Sequence, residues 1–260
     1  MTIQQIGNHT IEVYDAIEEL PMKRFHRFNK MMLVDSGVGS DLTDIDKHLA
    51  KIKAFIATKE ADNAVKEIDN LRTNLFLVMN NISPKMLAFS ALIKTLDGEP
   101  CEDLSDEGLQ RVVDKLNDTP IKAVEDALEA SKKKIEDELI SYFPKFFDTS
   151  VVKEYHDLLK KRTIAVLDMI IDSDNKEQMQ AHLDNLTNEI LAYAKPQIFG
   201  GRESIEIAFD QQFDRMTHLI SSQLNVSPKD YTVTEFYSAF DFIQEMTRQK
   251  LASMRKNKVK

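Results

Sequence analysis

The chain has no tryptophan and one cysteine, Cys101, among 260 residues. A single thiol excludes an intrachain disulfide and a cysteine-rich zinc site. Seven glycines and seven prolines are few for this length, which argues against a sandwich or barrel with many tight turns. No run approaches the ~20 apolar residues of a membrane span, and the apolar stretch "IAVLDMII" (164–171) is broken by Asp168. The opening "MTIQQIGNHTIEVYDAIEEL" lacks the basic-then-apolar layout of a signal peptide. An intracellular setting, or assembly inside a cell, is therefore expected. Basic charge is also in deficit: 34 Lys and Arg face 43 Asp and Glu, a net charge of −9. That balance disfavours broad nonspecific binding to nucleic acid without excluding a local basic patch.

What is present is helical periodicity. Residues 42–57 place Leu42, Ile45, Leu49, Ile52, Phe55 and Ile56 along one stripe, and 61–80 do the same with Ala64, Val65, Ile68, Leu71, Leu75 and Val78. Similar spacing recurs over 20–34, and "SPKMLAFSALIKTL" starts a further helix at Ser83-Pro84, a cap followed by proline. Asp97-Gly98 is a hairpin dipeptide, and Ser105 caps the next helix. Residues 121–195 hold three long amphipathic segments, with breaks at Pro144 and 172–175. In the last two, Leu183, Leu186, Ile190, Leu191 and Tyr193 are expected to meet Tyr155, Leu158, Leu159, Val166 and Ile170 as a helical hairpin. "KPQIFGGRE" (195–203) reads as a linker, and Thr232 with Glu235 form a capping box for the last helix. The expected fold is all-α, a multi-helix bundle with one small β-hairpin near 93–102 as its only regular β structure. Three segments are expected: 1–118, 119–195 and 196–260.

Motifs that carry chemistry fail on spacing. "VDSGVGSDLTDIDKH" (34–48) has two glycines and four aspartates, but Leu42 stands where a dinucleotide loop needs its third glycine. Asp41, Asp44 and Asp46 do not match the alternation of a calcium loop. The stretch reads as a turn: Gly37 or Gly39 ends one helix, and Ser40, Asp41 or Thr43 caps the next. None of His9, His26, His48, His156, His182 and His218 pairs at a helical metal-ligand spacing. Cys101 sits beside Glu102 and Asp103, whose charge raises a thiol pKa. No catalytic residue, metal ligand or cofactor is assigned, and the chain is expected to be no enzyme.

Two basic spots and one aromatic cluster stand out. Lys23, Arg24, Arg27 and Lys30 share a helix with Phe25 and Phe28, with no acid between 20 and 34. The tail carries Arg248, Lys250, Arg255, Lys256, Lys258 and Lys260, again without an acid. Both suit docking to an acidic protein surface or to DNA; at the tail, the helix dipole also accounts for basic residues. "SYFPKFFDTS" (141–150) gathers Tyr142, Phe143, Phe146 and Phe147 around a proline, either closing a corner between helices or meeting another subunit.

The stretches "YDAIEELPMKRFHRFNKMMLVDSGVGSDLTDIDKHL" (14–49) and "NVSPKDYTVTEFYSAFDFIQEM" (225–246) carry a resemblance. The first resembles an N-terminal block in proteins of tailed bacteriophages, especially the crAss-like phages of gut Bacteroidetes. The second is similar in layout to their tail-assembly and connector proteins. Together they cover under a quarter of the chain, and neither is a catalytic signature. The resemblance implies a virion structural protein, in a head–tail connector or tail ring, or a soluble assembly chaperone or adaptor. It implies other virion proteins, or further copies in a ring, as partners, and the virion, assembled in the host cytoplasm, as location. No small-molecule substrate, membrane or main nucleic-acid partner is expected. Lys23, Arg24, Arg27, Lys30, Phe143, Phe146, Phe147, Arg255, Lys256, Lys258 and Lys260 are the expected partner-binding residues.

Overall fold

The computed structural model describes residues 1–147, 150–171, 176–193 and 195–258. Within them ten α-helices accompany a four-stranded antiparallel sheet of short strands. Strands β1 (Thr2–Ile6) and β2 (His9–Val13) turn at Gly7, whose φ of +61° suits a residue without a Cβ. Strands β3 (Ile93–Leu96) and β4 (Glu99–Pro100) turn at Asp97-Gly98, both with positive φ, as a two-residue hairpin requires. Pairing of β2 with β3 joins the two hairpins in the order β1-β2-β3-β4.

The fold is thus mainly α, with the expected hairpin in place, but that hairpin is not the only regular β structure. The start of the chain reads from sequence only as a short extended stretch, not as a hairpin, because alternation is weak: Gln4 and Gln5 interrupt the apolar residues, and Ile3 is 71% exposed. The order of β1 and β2 depends on β3, some 80 residues away, where Ile11 pairs with Leu96.

The helices are α1 (Met22–Val38), α2 (Leu42–Ala57), α3 (Ala61–Met79), α4 (Pro84–Leu92), α5 (Asp106–Lys115), α6 (Ile121–Tyr142), α7 (Ser150–Ile171), α8 (Lys176–Tyr193), α9 (Ile205–Leu224) and α10 (Val233–Lys258). Their starts follow local capping chemistry. Ser105 Oγ accepts from the Gly108 N–H at 3.1 Å. Thr232 Oγ1 accepts from Glu235 N at 3.3 Å while Glu235 Oε2 accepts from Thr232 N at 2.8 Å, a reciprocal box. The 34–48 stretch is a turn, as its spacing predicts. Gly39, at φ +72°, ends α1 with its N–H on the Asp35 carbonyl at 2.8 Å. Asp41 caps α2, and Asp44 Oδ2 in turn accepts from the Asp41 N–H at 3.1 Å.

One apolar core takes side chains from the sheet and from α1, α4, α5, α6, α9 and α10, so segments 1–118, 121–142 and 205–258 all contribute to it. α4 is buried along almost its whole length, which its all-round apolar sequence requires. Helices α7 and α8 form the expected hairpin through Leu158, Ala165, Leu183 and Leu186, a cluster separate from the main core. Val166 and Ile190 pack against it, while the side chains of Tyr155, Ile170, Leu191 and Tyr193 lie outside the described residues. A small cluster of Val34, Val38, Leu77 and Phe199 fastens the end of α1 to α3 and to the segment before α9.

Candidate protein-interaction surfaces

The basic residues of α1 are largely spent inside the fold. Arg24 is 5% exposed. Its guanidinium donates to the Ala91 carbonyl at 3.1 Å, to the Ile93 carbonyl at 2.9 Å and to the Cys101 carbonyl, and lies 5.4 Å from the Tyr14 ring centre. A planar fork with five donors can serve three carbonyls at once, so Arg24 ties α1 to the α4–β3–β4 corner. It cannot reach a partner, and its expected place in an exposed docking patch is corrected. Arg27 pairs with Asp106, and Lys30 Nζ meets Asp210 Oδ2 at 2.6 Å, with both basic side chains mostly covered. Asp210 also accepts from His26, whose ring stacks between Phe209 and Phe213. Only Lys23 is more than half exposed, 3.9 Å from Asp230.

The aromatic cluster closes a corner within the chain. Phe143, Phe146 and Phe147 are half-buried against Tyr237, at ring-centre distances of 5.6, 5.9 and 5.1 Å. Phe146 also reaches Phe240 at 5.5 Å. Burial pushes the Tyr237 hydroxyl up to about 12. Of the tail residues, Lys260 lies outside the described residues, as do the side chains of Arg255, Lys256 and Lys258.

The surface that sequence periodicity missed is on α2 and α3. The buried face of α3 is Ala64, Glu67, Asn70, Asn74 and Leu77. Val65, Ile68, Leu75, Phe76 and Met79 face outward, from 39% to 81% exposed. At about 100° per residue these two sets lie on roughly opposite sides of the helix. The expected inward stripe of Val65, Ile68 and Leu75 is therefore corrected: it points to solvent. In α2, Leu42, Leu49 and Ile56 are likewise exposed, whereas His48, Ile52 and Phe55 face inward.

A buried polar network holds this orientation. His48 Nδ1 lies 2.8 Å from Glu67 Oε1, and its Nε2 lies 2.7 Å from the Val38 carbonyl. Lys51 Nζ is 3.3 Å from the same Glu67 oxygen. Asn70 Nδ2 donates to Glu67 at 3.3 Å and to the Gln197 carbonyl at 3.0 Å, and Asn74 Nδ2 donates to the Val38 carbonyl at 3.1 Å. Both ring nitrogens of His48 face oxygen acceptors, an arrangement that the doubly protonated ring alone satisfies in full. Burial alone would lower its pKa, but the Glu67 carboxylate and the Val38 carbonyl outweigh burial and raise it. Burial likewise works against the Glu67 charge, and His48 and Lys51 hold that carboxyl below its ordinary range. A charged pair inside and an apolar stripe outside reverse the usual amphipathic arrangement.

Beside the Phe76 end of this stripe lies a groove of about 800 Å3. Its floor is apolar, built from Met31, Val34, Leu77, Ile82, Leu87 and Phe199, while Asp106, Glu107, Asp114 and Glu206 lie on its walls with Arg111 as the one base. Among the described residues no three His, Cys, Asp or Glu side chains converge as a metal-ligand set. No single described helix is long and apolar enough to cross a membrane. Compared with family models, curated proteins and solved structures, the chain matches none.

Proposed function

We propose that the protein is a non-enzymatic structural component of a tailed-bacteriophage particle, in the head–tail connector or a tail ring. The observation that carries a protein-binding role is the outward apolar stripe of α2 and α3. Val65, Ile68, Leu75, Phe76 and Met79 sit on one helix face in solvent, and contiguous exposed apolar surface on a folded chain marks an interaction site. The charged His48–Glu67 pair on the opposite face resists any roll of α3 that would hide the stripe. The phage setting is supported by the resemblance of residues 14–49 and 225–246. In that setting the stripe is covered by a neighbouring virion protein, and the chain takes its place during assembly in the host cytoplasm.

Quantitative mass spectrometry of purified particles tests the reading. A fixed copy number per particle, lost on replacing Ile68 and Leu75 by Glu while the variant keeps its helical circular dichroism, is expected. Presence in assembly intermediates but not in finished particles would replace the structural role with that of an assembly chaperone. Association with neither would overturn both.

A further inference from the structure

We propose that the acidic groove beside α3, α4 and α5 receives the distal end of α10 from a second copy of the chain. The occupant is recognised first by its unfinished apolar stripe. Phe236, Phe240, Ile243, Thr247, Leu251 and Met254 follow one another at helical spacing along α10. Phe236 and Ile243 are buried in the main core, at 0% and 3% exposure. Leu251 and Met254 continue the same line but are 53% and 50% exposed. Nothing in the composition of the stripe changes there; what changes is that the core stops.

Charge identifies the site that this stretch fits. After Glu245 the helix contains no acid, and it carries Arg248, Lys250, Arg255, Lys256 and Lys258. Around the groove, Arg27 neutralises Asp106 and Asp103 holds Arg111. Glu107, Asp114 and Glu206 make no ion pair of their own among the described residues, with the Arg27 charge acting on Glu107 and Glu206. An amphipathic helix lies in such a groove by placing residues three or four apart on the apolar floor and its charges on the rim. Leu251 and Met254 have that spacing, and the rim has the opposite sign. In its own chain this part of α10 borders Leu219 and Gln223 of α9 and lines no part of the groove. A second copy is therefore the donor.

Groove and helix are different surfaces, so the contact is heterologous. Each copy gives a helix to one neighbour and accepts one from the other, and the array closes into a ring or extends as a filament. This is a partner of the kind the connector reading requires, but the contact is read on purified protein rather than on particles.

Sedimentation velocity of the full chain over rising concentration tests it. Self-association is expected at about 0.01 M ionic strength and should weaken at least about tenfold at about 0.15 M, as the screening length falls from about 30 to about 8 Å. The tail variant Leu251→Asp/Met254→Asp and the groove variant Glu107→Lys/Asp114→Lys should each be monomeric with unchanged circular dichroism. Mixed together they should form a one-to-one dimer and nothing larger, because one intact groove and one intact helix remain. Should the groove variant misfold, Phe76→Lys, at a 59% exposed position that lines the groove, sets a charge of the helix's own sign on the same surface. A wild type that stays monomeric in low salt, variants that still assemble, or a mixture that stays monomeric would each overturn the proposal. A wild type that self-associates but is absent from particles keeps this contact and overturns the virion reading; a monomer found in particles does the reverse.

Discussion

Replacing Glu67 with Leu isolates the effect of the buried pair between α2 and α3. His48 and Glu67 side chains are 4% and 1% exposed, so neither charge has water to fall back on. Removing the carboxylate leaves His48 with the Val38 carbonyl alone and Lys51 as a nearby like charge, so the ring must either stay charged without a counter-ion or give up its proton. Breaking a buried pair in this way costs about 3–5 kcal/mol. At 1.4 kcal/mol per factor of ten, that is about two to three and a half powers of ten in a local opening equilibrium. Native-state hydrogen exchange of the α2 and α3 amides reads this directly, since helical hairpins open as cooperative units. The double variant His48→Leu/Glu67→Leu should lose far less than the sum of the single changes, because two apolar side chains can replace a buried pair almost neutrally. The Val38 carbonyl then keeps its bond from Asn74. The pH dependence has a definite sign. His48 has its pKa raised by folding, so its contribution is complete below the unfolded value of about 6.5 and fades as pH rises through the folded value. The advantage of wild type over the double variant should shrink on the alkaline side. If Glu67→Leu changes α3 protection by less than about tenfold at pH 6, the pair does not hold the hairpin in place and the argument for its orientation fails.

Arg24→Met should lower stability by about 3 kcal/mol by leaving the Ala91, Ile93 and Cys101 carbonyls short of a donor. In a thermal scan that is about 6–12 °C, and Arg24→Lys should not restore it, because an ammonium cannot span three carbonyls in a plane. Gly37→Ala should cost about 1–3 kcal/mol by thermal denaturation, since its Cβ would stand 2.2 Å from Phe199 ring atoms that must then move. Asp15 is opposed by burial but stabilised by the Thr2 hydroxyl and by Lys134, whose Nζ lies 2.9 Å away, and these hold it down to about 2. Its contribution is present above the ordinary carboxyl range near 3.9 and lost as pH falls through about 2. Asp15→Asn should therefore melt earlier than wild type at neutral pH, with the gap closing towards pH 2.

Features set by a few adjacent residues were legible from sequence. The Asp97-Gly98 turn, the Ser105 cap and the Thr232–Glu235 box all form as their spacing requires. Gly7-Asn8 held a similar turn signal for the first hairpin, but β1 is too polar to announce itself. The face of α3 was not legible, because periodicity assumes that apolar residues turn inward. Here the orientation is set by partners elsewhere in the chain: His48, the Val38 carbonyl and the Gln197 carbonyl. The basic helix misled for the same reason. No acid lies near it in sequence, yet Arg27 and Lys30 find Asp106 and Asp210, 79 and 180 residues away. Whether a charge is available to a partner is a property of the tertiary fold.

The reversed α2–α3 hairpin implies a conflict between two kinds of selection. A screen that rewards heat resistance of the isolated chain would favour apolar residues at Asn70 and Asn74, which are 1% and 0% exposed. Such changes would make α3 apolar all round and remove the bonds that fix its rotation. Variants that look improved in a melting curve would then be the ones that lose a single outward face. On the proposed reading of the outward face as a docking surface, the better monomer should then be the worse partner.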